Sequence, residues 1–171
     1  DGEMTFRRLD DVPGWAGIPD LDEAGPAVVA AYLHTYGPAT LEQIHHWVGG
    51  GLAARRPAVT RWLSSLEERL APMTIEGDDV LALRDDLDDL GTASASSAVR
   101  LLPGRDPWVM ASGTSDTRVV PPARRALVSR SANLVVFRGA LAGTWTTRGG
   151  RLEVAWFQES GRVPRAALDR E

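Results

Sequence analysis

The residues able to do chemistry in this chain are few. It has no cysteine and no lysine, and all 19 of its basic residues are arginine. Disulfides, thiol nucleophiles, iron–sulfur clusters and thiolate zinc sites are therefore excluded. So are the Schiff-base lysine, the phosphate-loop lysine and the Ser-x-x-Lys hydrolase motif. Glu42-x-x-His45 has the spacing of a helical iron–carboxylate motif, but the second copy and further glutamates that such sites need are missing. The adjacent His45 and His46 read as a helix-edge pair, one leaning to the core and one wet. Ser112 sits in Ala-Ser-Gly without a nearby His and Asp to complete a triad. The run Asp85-Asp86-Leu87-Asp88-Asp89 reads as a solvated helix face, and there is no Gly-x-Gly-x-x-Gly and no internal repeat. What remains is arginine, whose planar fork pairs with two phosphate oxygens or with a guanine edge.

The elements that must position those arginines begin after an irregular stretch. Pro13, Gly14, Gly17 and Pro19 argue against a long helix before Gly25, and helical periodicity is expected from Pro26, where Val28, Val29, Tyr32, Leu33 and Tyr36 form a stripe ended by Gly37-Pro38. Thr40 stands three residues before Gln43, the spacing of a capping box. The short helix it opens shows Leu41, Ile44, Trp47 and Val48 on one face and is expected to stop at Gly49-Gly50-Gly51. A third helix is predicted over Pro57 to Leu70, with Val59, Trp62, Leu63, Leu66 and Leu70 at amphipathic spacing. Met73-Thr74-Ile75 and Val80 to Leu83 then bracket Glu76-Gly77-Asp78-Asp79 as two strands about a turn.

Helix, capped helix, turn, amphipathic helix and hairpin is the order of a winged helix, whose third helix can enter the major groove. On its outward face Thr60, Arg61 and Ser64 are candidates for DNA contact, preceded by Arg55 and Arg56 at the phosphate level. The bland alternative is an ordinary solvated face. Glu76, Asp78 and Asp79 at the turn, with the following aspartates, would be repelled by phosphate and favour a protein contact instead.

A small-residue stretch, Gly91 to Ala98, reads as a linker. Beyond it, Val99 to Met110 is apolar and punctuated by prolines, Pro121 to Val128 starts a short helix, and three strand-like runs follow: Leu134 to Phe137, Ala140 to Thr147 and Arg151 to Phe157. Arg138-Gly139 and Arg148-Gly149-Gly150 supply the turns of an antiparallel meander. Simple alternation places Leu141 with Trp145 on one face, and Leu152, Val154 and Trp156 on one face of the next strand.

Charge divides the chain the same way. Residues 1–91 hold 7 arginines against 17 acids, net −10, and residues 92–171 hold 12 against 6, net +6, within an overall charge of −4. Residues 97–151 alone carry 9 arginines against Asp106 and Asp116. Arg118, Arg124, Arg125, Arg130, Arg138 and Arg148 are the candidates there for contacting a phosphate backbone. The competing reading has this arginine-rich surface docking on the acidic first unit.

Three strings carry a family resemblance. Ala31 to Gly49 (AYLHTYGPATLEQIHHWVG) resembles the YLxxYGPATLxDxxxWxGL segment of the bacterial winged-helix DNA-binding family that contains the AlkZ/YcaQ-type DNA glycosylases. Leu101 to Val109 (LLPGRDPWV) resembles its LLPxxDPxLLG segment, and Gly139 to Trp145 followed by Gly150 to Val154 is similar to its DGRVVGTWR…LEV end. The departures are Arg138-Gly139 in place of Asp-Gly, and Met110-Ala111-Ser112-Gly113 where the family continues Leu-Gly-x-Arg-Asp.

The resemblance implies a C-terminal piece of a longer protein, as does a chain that opens on Asp1 with Met4 as its first methionine. It also implies winged-helix units clamped around duplex DNA, and a glycosylase that removes alkylated purines or unhooks interstrand crosslinks. The catalytic Gln-x-Gln or Gln-x-Asp signature of that family is not in these residues, whose glutamines are Gln43 and Gln158. No catalytic residue is therefore expected here, nor any metal or cofactor. Without lysine in this part, the whole protein is expected to act as a monofunctional hydrolase.

The expected fold is α+β: a winged helix-turn-helix over 1–91 with an irregular lead-in, a linker at 92–98, and a β-rich unit over 99–171 that also admits a winged-helix-like reading. The expected partners are double-stranded DNA and the N-terminal part of the same protein, with no membrane, in a cytoplasmic setting associated with the nucleoid. A winged-helix module for protein interaction or transcriptional regulation, without enzymatic activity, is the alternative.

Overall fold

The computed structural model describes residues 5–51, 54–94 and 96–170. Met4 and the linker residue Ala95 lie outside them. Helix α1 spans Leu21–Tyr36. It begins five residues earlier than the periodicity suggests because Asp20 caps it, accepting from the Asp22 N–H at 2.9 Å. Pro26 falls inside the helix; it removes one backbone bond, to the carbonyl of the exposed Asp22.

Helix α2 (Leu41–Ile44) carries the expected capping box: Thr40 Oγ1 accepts from Gln43 N–H at 3.2 Å and Gln43 Oε1 accepts from Thr40 N–H at 2.8 Å. The triple glycine does not stop this segment at Gly49; it continues as a wider π-helical turn over His45–Gly51, which keeps Val48 fully buried. Thr40→Ala removes one half of the box and should cost about 1 kcal/mol of unfolding free energy, measurable as a lower urea midpoint at unchanged slope.

Helix α3 covers Arg56–Ser65, and a 3-10 turn at Glu67–Arg69 follows, so the helix ends before the predicted Leu70. The apolar spacing runs on because Leu66 and Leu70 remain buried, yet Leu70 is already in strand β1 (Leu70–Ile75), paired with Leu83 of β2 (Asp78–Leu83). Ladder pairing takes that residue from the helix. The connecting turn is only Glu76-Gly77, both with positive φ (53° and 91°), the geometry of a tight two-residue hairpin. Ala39 exchanges backbone bonds of 3.0 and 2.8 Å with Leu81, so the segment after Gly37-Pro38 flanks the hairpin. Helix α4 (Leu87–Thr92) carries Asp88 and Asp89 in its first turn and runs into the small-residue stretch.

The remaining sheet has four antiparallel strands in the order β3 (Val99–Leu102), β4 (Leu134–Phe137), β5 (Ala140–Arg148), β6 (Arg151–Trp156). Its first strand comes from the Pro-punctuated apolar stretch, and the prolines follow the strand rather than interrupt it. Helices α5 (Pro107–Ser112) and α6 (Arg125–Ser129) lie between β3 and β4, and α7 (Arg165–Leu168) follows β6. The register corrects one expectation. Val135 pairs with Gly143 and Val136 with Leu141, so Ala142 is an extra residue. That bulge reverses the alternation, placing Leu141 on the face of Thr144 and opposite Trp145.

Two apolar clusters result. Val29, Leu33, Ile44, Val48, Val59 and Trp62 lead one, which also takes in Ala111 of α5; Val109, Val120, Val128, Leu134, Leu141 and Phe157 make the other. Among the described residues no helix is long and apolar enough to cross a membrane. The whole is an α+β fold with two antiparallel sheets.

Candidate nucleic-acid interface

Helix α3 turns Val59, Trp62 and Leu63 inward, which leaves Arg55, Arg56, Thr60, Arg61 and Ser64 exposed on the other side. Arg55 is the N-cap residue in an extended conformation, without a side-chain cap bond. Thr60 Oγ1 donates to the Arg56 carbonyl at 3.0 Å and Ser64 Oγ to the Thr60 carbonyl at 3.1 Å, so both hydroxyls use their protons on their own helix. Arg61 donates to both oxygens of Asp22, at 2.8 and 3.1 Å. The Trp62 indole N–H reaches the same carboxylate at 2.9 Å, and with Arg61 it holds Asp22 below the usual carboxylate range. Arg61 thus ties α3 to α1.

The second group of arginines is more varied. Arg124 donates to both oxygens of Glu159 at 2.6 and 2.9 Å and lies 4.1 Å over the Phe157 ring; this bond lowers Glu159 to about 2. Arg125 donates to the Ser115 carbonyl at 3.2 Å. Arg138 takes the left-handed position of the β4–β5 turn (φ 54°) with its guanidinium 5.1 Å from the Phe137 ring. Arg148 stands 3.9 Å from Glu153, both well exposed, a pair that adds little stability. Arg130 is exposed at the end of α6. Of the candidates, Arg55, Arg56, Arg125, Arg130 and Arg138 have no carboxylate partner among the described residues.

Arg118 belongs to a polar junction that spacing along the chain does not reveal. Asp116 is half-buried as a residue with its side chain largely covered, and accepts from Arg118 Nε at 3.1 Å, Arg118 Nη2 at 3.2 Å, the Arg118 N–H at 3.0 Å and Gln43 Nε2 at 2.7 Å. Burial is the largest single influence and would raise its pKa. The bonds and charge of Arg118, with the Gln43 amide, outweigh it and hold the carboxylate below its ordinary value. Asp116 in turn raises Arg118, and the nearby Asp78 and Glu76 add to that. The acidic β1–β2 turn therefore faces a cation of the second half. Beside this junction the Tyr32 hydroxyl donates to the Ala111 carbonyl at 3.1 Å, and burial together with Asp116 and Tyr36 pushes it up to about 12.

His45 is half-buried with its Nδ1 enclosed and unpartnered among the described residues, and His46 is exposed, as expected of the pair; burial and the Arg56 charge lower His45. Sequence reasoning passed over Asp22, the third bond of Gln43, and the arginines after β6. Only the last left a signal, in Arg162-Val163-Pro164-Arg165 and Arg170.

The interstrand DNA cross-link repair glycosylase of Streptomyces sahachiroi is 32% identical over 161 residues, 92% of this chain and 43% of that protein. The solved structure of Streptomyces sahachiroi DNA glycosylase AlkZ matches with a TM-score of 0.84 at 31% identity, covering 91% of this chain and 43% of that one. The chain spans less than half the length of these relatives. Residues 2–171 match the family described as DNA glycosylase AlkZ-like, and the chain belongs to that family.

Proposed function

We propose that this chain is a double-stranded DNA-binding portion of a DNA glycosylase-like repair protein, and that its first 91 residues form a winged helix followed, after the linker at 92–98, by a β-rich unit. The observation that carries the reading is the family match along residues 2–171. The helix order α1–α2–α3–hairpin supports the winged-helix reading, with α3 presenting Arg55 and Arg56 at its N-terminal end, where a recognition helix meets the duplex. Arg55, Arg56, Arg125, Arg130 and Arg138 carry most of the phosphate contact in this reading. Arg61, Arg118 and Arg124 hold the scaffold through Asp22, Asp116 and Glu159, and Thr60, Ser64 and Arg148 contribute at the margin. Contacts of this kind position a duplex without reading its sequence. The hydrolytic step, as a monofunctional glycosylase, belongs to residues outside this chain, in the N-terminal part of the same protein, and the setting is the cytoplasm and nucleoid.

Fluorescence anisotropy of the chain on a short duplex across a salt series tests the reading. Wild type should lose affinity steeply with salt, and Arg55→Ala/Arg56→Ala should flatten the log–log slope by roughly two units. No binding at low salt would overturn it in favour of a protein-interaction module, which the acidic turn at Glu76, Asp78 and Asp79 would suit.

A further inference from the structure

An open groove of about 1070 Å³ lies between the β4–β5 turn and the segment that follows β6. Arg138, Arg162, Arg165 and Arg170 line it, together with Ser97 and Ser160. Among the described residues no carboxylate lines it. Four acids of this half are engaged elsewhere: Glu159 with Arg124, Asp116 with Arg118, Glu153 beside Arg148, and Asp106 capping α5 through the Trp108 N–H; Asp169 is exposed at the C-terminal end of α7, outside the groove lining. None of the four guanidinium groups has an ion-pair partner among the described residues.

The segment that leads into the wall carrying three of these arginines is fastened to the sheet. The Trp156 indole N–H donates to the Gly161 carbonyl at 3.0 Å, and its ring packs 5.7 Å from that of Phe137. Phe157 N–H bonds to the Ala142 carbonyl at 2.8 Å and Ser160 N–H to the Phe157 carbonyl at 3.1 Å. Gly161 (φ 74°) then turns the chain toward α7. The groove thus has one edge anchored to the sheet as far as Gly161. Like charges gathered in it raise the electrostatic energy of the free protein, and an anion relieves them.

Guanidinium groups donate and cannot accept, so the fitting ligand is rich in anionic acceptors. Four cations lining one open groove of this volume match a repeating array of phosphates better than one compact anion. Duplex DNA offers such an array, about one charge per 1.7 Å of axis.

We infer that this groove is a second backbone-binding site for duplex DNA, separate from α3, in which Arg162, Arg165, Arg170 and Arg138 take successive phosphates. The inference rests on the DNA-binding reading above. It is tested by duplex anisotropy over a salt series with the full chain, Arg162→Ala/Arg165→Ala, and Arg162→Lys/Arg165→Lys. Both side chains are exposed, and an unchanged urea midpoint verifies the fold. The alanine pair should lower the salt slope by roughly two units and weaken binding at low salt at least about tenfold, while the lysine pair keeps most of the slope because counterion release needs only the charge. Adding inorganic tripolyphosphate should compete on wild type and much less on the alanine pair. Salt-dependent wild-type binding with an unchanged slope in the alanine pair overturns the groove and leaves the DNA reading standing. Absence of wild-type binding at low salt overturns both.

Discussion

Replacing Asp116 by alanine should lower the unfolding free energy by about 3 kcal/mol. Removing one member of a buried ion pair typically costs 3–5 kcal/mol because the partner charge stays behind unpaired. Arg118 keeps 26% of its side chain exposed and Asp116 only 7%, so solvent relieves part of the loss and the low end applies. Gln43 Nε2 and the Arg118 N–H also lose their acceptor, each a smaller cost. Asp116→Asn keeps an acceptor in place without the charge and should cost roughly half as much. Urea unfolding of the three proteins at neutral pH measures this; equal stability of wild type and the alanine variant would show that the junction contributes nothing.

The same residue gives a pH signature. The folded-state pKa of Asp116 is lowered, so its ionised form contributes stability that is complete above the unfolded value of about 3.9 and is lost as pH falls through the folded value. The difference between wild type and Asp116→Asn should therefore be constant near neutrality and shrink below about pH 4. Asp22 and Glu159 are shifted in the same direction, so the variant keeps a residual acid dependence of its own.

Gly25→Ala should destabilise by about 2 kcal/mol although alanine is the better helix former. A Cβ at Gly25 would lie 2.1 Å from Cε2 and 2.2 Å from Cδ2 of Trp62. That ring is 3% exposed and pinned by its N–H bond to Asp22, so relief requires α1 and α3 to separate or the indole to leave its bond. Overpacking of this kind costs 1–3 kcal/mol at typical sites, and contact this close with a pinned ring exceeds the roughly 1 kcal/mol that alanine returns in a helix interior. Gly91→Ala is the control. It lies in α4 with nothing within 4 Å of a Cβ, and the same exchange there should stabilise by up to about 1 kcal/mol. Opposite signs in urea midpoints for the two variants are the expected result, and a neutral Gly25→Ala would mean that the two helices can part freely.

Local rules made some elements readable in advance. The Thr40–Gln43 capping box depends on atoms three residues apart, and it formed as expected. The β4–β5 turn at Arg138-Gly139 and the β5–β6 turn at Gly149-Gly150 adopt positive φ at both central residues, the conformation that glycine-containing two-residue loops favour. Burial of Val59, Trp62, Leu63, Leu66 and Leu70 was legible in the spacing, because a periodic stripe has only one face to hide. The end of the helix was not, since Leu70 is claimed by a partner, Leu83, thirteen positions away. Simple alternation gives the wrong face for Trp145 because it assumes an uninterrupted ladder, and the extra residue at Ala142 becomes visible only once β4 lies beside β5.

The site divides along the same line. Residue types and charge balance along the chain singled out arginine as the chemistry, separated an acidic half from a basic one, and carried three motifs of the family, because composition and short spacing survive without coordinates. Tertiary structure decided which arginines are available. Asp22 meets Arg61 across 39 residues and Glu159 meets Arg124 across 35, while Arg138 is brought beside Arg162, Arg165 and Arg170 by the strand pairing that places the β4–β5 turn against the chain's last segment. Whether a guanidinium is a strut or a free cation depends on what the fold sets within about 4 Å of it, a distance that the order of residues does not encode.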